Sequence, residues 1–99
     1  MATFILVTRM SADSLHDSGA RRAMGKEWLH KVKELCPEVK WIAHYAILGP
    51  YDFMDIYDAP DIETAHRVSL ISRAAGAVTA ESWQALPYER FLDVLAKLS

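Results

Sequence analysis

One histidine and two residues able to partner it stand on neighbouring strand-like runs, His44 on the first, Asp55 and Tyr57 on the second. An imidazole beside a carboxylate is held in one tautomer and can trade a proton near neutral pH. A phenol beside them can orient a ligand or donate to its carbonyl oxygen. If Pro50 and Tyr51 form a two-residue loop, Leu48 falls opposite Phe53, Ala46 opposite Asp55 and His44 opposite Tyr57, all on one face. Tyr45, Ile47, Met54 and Ile56 then share the other face. Asp55 stands out because a carboxylate in mid-sheet is costly unless paired or solvated. His44 also has a purely structural reading, as a packed and hydrogen-bonded strand residue. The grouping depends on register, since a slip of one residue would carry His44 to the opposite face.

Other residues carry weaker chemistry. Arg9 comes where the first strand ends and could clamp a carboxylate at a pocket mouth or form an ordinary surface ion pair. Tyr51 could form the lip of a pocket, while Asp52 at the same turn can accept backbone N–H groups. Trp28, Trp41, Trp83, Tyr45 and Phe91 supply large apolar area for a core, an interface or the wall of an aromatic site. His16, His30 and His66 show no metal-ligand spacing, and the single cysteine, Cys36, excludes an internal disulfide and a thiolate zinc cage, so no metal is expected. No phosphate-binding glycine loop or nucleophile elbow is present, and no cofactor is implied by motif.

Certain elements must position these groups. Ala2 to Met10 is dense in β-formers on both sides of the pleat and reads as the first strand. After a polar stretch from Ser11 to Ser18, Trp28, Leu29, Val32, Leu35 and Cys36 follow a helical stripe that Pro37 ends. Val39 to Leu48 and Asp52 to Ala59 form a hairpin across Gly49-Pro50-Tyr51. Asp61 caps a second helix over Ile62 to Ala75, with Gly76 at its C-terminus. Ala77 to Ala85 is strand-like, and Pro87 opens a terminal amphipathic helix with Phe91, Val94, Leu95 and Leu98 on one side.

This order predicts an α+β, ferredoxin-like βαββαβ fold: a four-stranded antiparallel sheet, two helices on one face and an extra C-terminal helix. The other face is apolar yet bare, and a second copy is its simplest cover. A single domain over 1–99 suits the length, and 52% apolar residues is rich for so small a chain. A net charge of −2 without a basic stripe argues against nucleic acid, and no segment approaches a membrane span. With one cysteine and no secretion signal, the expected location is cytoplasmic.

The run Gly49-Pro50-Tyr51-Asp52, continued by Phe53-Met54-Asp55-Ile56-Tyr57-Asp58-Ala59-Pro60-Asp61, resembles the GYD domain family, named for a Gly-x-Tyr-Asp turn before a strand with an acid-Ala-Pro-Asp ending. Thr3 to Arg9 is similar to that family's first strand, whereas Ser11 to Gly25 and the end from Trp83 to Ser99 depart from its pattern and could host a family-specific ligand or contact. The resemblance implies a ferredoxin-like fold of the dimeric α/β-barrel type and no firm activity.

The leading expectation is a homodimer, or higher homo-oligomer, that binds a small apolar or aromatic molecule between sheet and helices. His44, Asp55, Tyr57, Arg9 and Tyr51 are its candidate ligand residues. One alternative is a cofactor-free monooxygenase or isomerase with His44 as proton shuttle. Others are a haem binder, because the resembled fold type is known to hold haem and imidazole is a normal axial ligand, or a structural assembly partner that docks through Tyr88 to Leu98. The residues alone leave enzyme activity undecided.

Overall fold

The computed structural model describes residues 1–98, so the end of the expected 1–99 domain, Ser99, lies outside the described residues. The chain runs β1 (Ala2–Met10), a 3-10 turn (Ala12–Leu15), α1 (Ser18–Leu35), β2 (Lys40–Ala46), β3 (Phe53–Ala59), α2 (Ile62–Ala74), β4 (Ala77–Ala85) and α3 (Tyr88–Ala96). The strands form one antiparallel sheet in the order β2-β3-β1-β4, the ferredoxin-like arrangement. Connecting β1 to β2 through α1, and β3 to β4 through α2, forces two crossovers of the same hand and brings both helices to one face.

Local chemistry sets the helix ends. Asp17 accepts hydrogen bonds from the amides of Gly19 and Ala20 at 2.9 and 3.2 Å and so starts α1. Asp61 does the same for α2, taking the amide of Thr64 at 2.8 Å and its hydroxyl at 2.6 Å. At the far end of α2, Gly76 adopts φ +113°, a conformation that an L side chain rarely takes. Phe4, Leu6, Tyr57 and Ala59 from the sheet meet Val32 of α1, Cys36 at its C-terminal cap, and Ala65, Val68 and Ile71 of α2 in one buried core. Trp28 Nε1 donates to Ser72 Oγ at 2.8 Å and ties α1 to α2.

The central hairpin departs from a two-residue loop. The ladder pairs Ala46 with Phe53, His44 with Asp55 and Trp41 with Tyr57, with a bulge between Trp41 and Ala43. The cause is Pro50, because two-residue hairpin turns need φ above zero at their first central position and proline is fixed near −65°. The connection widens instead and is closed by the Ile47 amide on the Asp52 carbonyl at 2.9 Å. Asp52 then anchors the loop to β1: its amide donates to Thr8 O at 2.9 Å and its Oδ2 accepts from the Met10 amide at 2.8 Å. The register beside the loop therefore shifts by two residues, an even number, so His44, Tyr45 and Ala46 keep their expected faces, while the bulge brings Trp41 onto the face of His44 and Tyr57.

The sheet face away from α1 and α2 carries Ile5, Val7, Met54, Ile56 and Trp83, of which only Val7 is fully buried. α3 has no buried residue, and Phe91, Val94, Leu95 and Leu98 are all exposed. No helix among the described residues is long and apolar enough to cross a membrane.

Leu6 is 0% exposed at the centre of the core, whereas Leu48 in the wide loop is fully exposed. Leu6→Ala is expected to lower the unfolding free energy by about 2–5 kcal/mol in urea titration. Leu48→Ala should change it by less than about 0.5 kcal/mol. Similar losses at both positions would refute this placement of the core.

Candidate functional site

The helix-facing side of the sheet is where chemistry collects. The β2-β3 register sets His44 directly across from Asp55, and the His44 Nδ1 to Asp55 Oδ1 distance is 2.5 Å. Asp55 is only 3% exposed, because Leu6 flanks it on β1 while α1 passes over the sheet. Burial raises the Asp55 carboxyl above the usual 3.8, and the adjacent His44 partly offsets that rise. With Nδ1 engaged by the carboxyl, Nε2 is the ring nitrogen left to meet a ligand.

Around this pair lies an aromatic wall. The His44 ring stacks near Phe53 at 6.0 Å and near Trp28 at 6.3 Å, and Trp28 meets Trp41 edge-on at 5.2 Å. These rings border a cavity of about 660 Å³ between α1 and the sheet, within the usual range for small-molecule sites. Its floor is Thr8, Phe53, Asp55, His44 and Trp41, and its roof is the first three turns of α1, from Arg21 through Leu29. The end of α2 and the start of β4 close one side with Ser72, Ala75 and Ala77.

Tyr57 shares the face of His44 and Asp55 but does not join them. Its hydroxyl lies 2.8 Å from Ser82 Oγ, which in turn lies 2.7 Å from Ser69 Oγ, so it belongs to a chain leading to β4 and α2. Burial pushes the phenol up to about 12, and Tyr57 stays neutral across the physiological range. Its ring packs between Phe4 and Trp41 as part of the core.

Tyr51 and Arg9 lie on the opposite side of the sheet. Tyr51 donates to Glu81 Oε2 at 2.7 Å and meets Trp83 edge-on at 5.8 Å, while Trp83 Nε1 donates to Glu81 Oε1 at 3.0 Å. These two donors hold the Glu81 carboxyl below its usual value, and the bond to Glu81 raises the Tyr51 phenol. Arg9 lies on that face by strand alternation, close enough to lower the Tyr51 phenol slightly. Of the five sequence candidates, the structure thus brings His44 and Asp55 together and sets the other three elsewhere.

Sequence reasoning passed over Arg21. Its guanidinium carbon lies 5.3 Å from the centre of the Phe53 ring, and its Nη1 is buried with no hydrogen-bond partner among the described residues. Trp41 Nε1 is buried and unpartnered in the same way, and both residues line the cavity. The only signal in the sequence was indirect: Arg21 and Gly25 lie one turn apart within the segment that departs from the family pattern.

Comparison with known proteins agrees with this architecture. A solved structure from Thermus thermophilus superposes with a TM-score of 0.60 at 21% identity, covering 88% of this chain and 95% of that one. A hypothetical protein from Pyrococcus horikoshii does so at 0.54 and 18% identity, over 88% and 92%. Both likenesses concern fold alone. In sequence, a Thermus thermophilus protein named glutamine synthetase and cystathionine beta-lyase binding protein is 32% identical over 104 residues, spanning 99% of each chain. The model of the GYD domain matches residues 4–95, nearly the whole described chain, and this protein is a member of the GYD domain family.

Proposed function

We propose that this protein is a cytoplasmic homodimer that binds a small aromatic molecule in the cavity between α1 and the sheet, with His44 and Asp55 fixing its orientation. The observation that carries the reading is the aromatic-walled cavity of about 660 Å³ with an imidazole paired to a buried carboxyl on its floor. Flat rings of Trp28, Trp41 and Phe53 favour a flat ligand by offset and edge-on contact. A carboxyl kept from water beside one imidazole nitrogen favours a ligand that donates to, or accepts from, the other. Dimerisation is supported by the second sheet face, where half-buried Ile5, Met54 and Ile56 and the more exposed Trp83 form an apolar surface without an internal cover.

A second reading is favoured by α3, whose apolar side is exposed along its length. The 32% identical relative is named for binding two enzymes. An amphipathic helix with no buried residue is suited to the groove of a protein partner. The cavity and this helix do not overlap, so the two readings are compatible.

The apolar-face argument expects a solution mass of twice the 11.2 kDa chain by light scattering. Trp83→Asp should shift it to one chain, because a charge at a closely packed interface is costly. An intact protein that stays at 11.2 kDa at micromolar concentration refutes the dimer.

Trp28 and Trp41 report on the cavity by fluorescence, so benzamide, indole-3-acetamide and 2-naphthamide serve as neutral aromatic probes. At least one should quench in a saturable way, and His44→Ala should weaken that binding by about tenfold through loss of one polar contact and one stacking face. No saturable quenching by any of these ring systems, in neutral or charged form, or an unchanged affinity in His44→Ala, overturns the assignment of the site.

The raised Asp55 carboxyl fixes the sign of a pH effect. The unfolded chain ionises it near 3.8 and the folded chain only at higher pH, so its favourable contribution is complete below 3.8 and is lost as pH rises through the folded value. The unfolding free energy of Asp55→Asn minus that of the wild-type protein should therefore increase between about pH 3 and about pH 7. A flat or falling difference in paired urea titrations would show that pairing with His44 outweighs burial.

A further inference from the structure

The cavity has a marked imbalance of charge and of hydrogen-bonding capacity. Four cationic side chains line it, Arg21, Arg22, Lys26 and Lys33, all from α1, against one acid, Asp55, which already has His44 as its partner. The protein as a whole is slightly acidic, with a net charge of −2, so this concentration of positive charge is local. Two donors buried at the cavity, Arg21 Nη1 and Trp41 Nε1, have no acceptor among the described residues. Buried donors are ordinarily satisfied, so two unpaired donors on residues that line one cavity call for an acceptor there.

We propose that the ligand is an aromatic carboxylate, its ring held between the aromatic side chains and its carboxylate taken by the guanidinium of Arg21. This rests on the cavity being the binding site and adds the ligand's charge and the residue that reads it. The guanidinium is already positioned. Its carbon lies 5.3 Å from the centre of the Phe53 ring, a cation–π contact that holds the group at the cavity wall. Gly25, one turn on, lines the same cavity. An acceptor of two parallel hydrogen bonds matches this fork, and a carboxylate on a planar ring meets both demands of the cavity at once. Arg22, Lys26 and Lys33 add a field that draws an anion toward the opening.

Paired probes of one shape and two charges test the assignment: benzoate with benzamide, indole-3-acetate with indole-3-acetamide, 2-naphthoate with 2-naphthamide. For the pair that fits, the carboxylate should bind about 10- to 100-fold more tightly than the amide by calorimetry or tryptophan fluorescence. Arg21→Gln should bring the ratio of carboxylate to amide affinity to within about twofold of one, and Arg21→Lys should keep part of the preference, since a point charge replaces the fork. Arg90→Gln, on α3, makes the same change in net charge away from the cavity and should leave the preference intact. Equal binding of amide and carboxylate overturns the carboxylate assignment but not the cavity, whereas no binding of either overturns the cavity as the site. A preference that survives Arg21→Gln, or is lost equally in Arg90→Gln, refutes the role of Arg21.

Discussion

The pairing register of β2 and β3 is the constraint on which the site depends. It is set less by those two strands than by Asp52, whose amide and carboxylate are both held by the end of β1. The Asp52 carbonyl in turn accepts from the Ile47 amide, and beyond that closure β2 meets β3 with His44 opposite Asp55. Pro50 rules out the tighter turn that would have moved His44 opposite Tyr57. The residues that name the family thus act through the backbone, and the imidazole–carboxyl pair is a consequence of that turn.

Much of this was legible in the sequence because period and punctuation are local. β4 begins and ends where its alternation does, and α2 runs from Ile62 because Asp61 caps it and stops before Gly76 because the backbone turns left-handed there. From Ala43 to Ala46 and along β3 the faces of the hairpin were legible too, since there they follow odd and even positions, whereas Trp41 changes face at a bulge that alternation does not announce. The identity of the opposing residues was not legible, because it depends on how the wide loop closes, with the Ile47 amide on the Asp52 carbonyl and Asp52 itself held by a strand more than forty positions away. Tyr57 shows the same limit. Alternation gave its face, but whether its hydroxyl turned toward β2 or β4 rested on Ser82, which chain order alone does not bring near.

The cavity was hidden for a different reason. The helical stripe of α1 is real, but its members sink to different depths: Val32 and Cys36 are fully buried, whereas Leu29 and Leu35 remain exposed. The cause lies in the aromatic side chains. Trp28 stands edge-on against Trp41 and donates across to Ser72, so α1 is propped on a large ring where a smaller residue would have let it settle on the sheet. Sequence periodicity gives the direction in which a helix faces, and side-chain volume at the contact sets how close it comes. Arg21 and Lys26 thereby border a cavity that is open on one side.

That propping also divides α1 into two parts with different work. Its C-terminal half carries the helix's contribution to the core, and its N-terminal half, with no buried residue before Val32, roofs the cavity and is started by Asp17. A segment with few buried apolar contacts opens locally at lower cost than the elements in the core. The half of the helix that bears most of the cationic groups is therefore the half best able to admit a ligand, while the register of His44 and Asp55 beneath it is held by strands that do not need to move. A rigid floor and a lightly anchored roof follow from one choice of residue, a tryptophan at position 28 between the two halves.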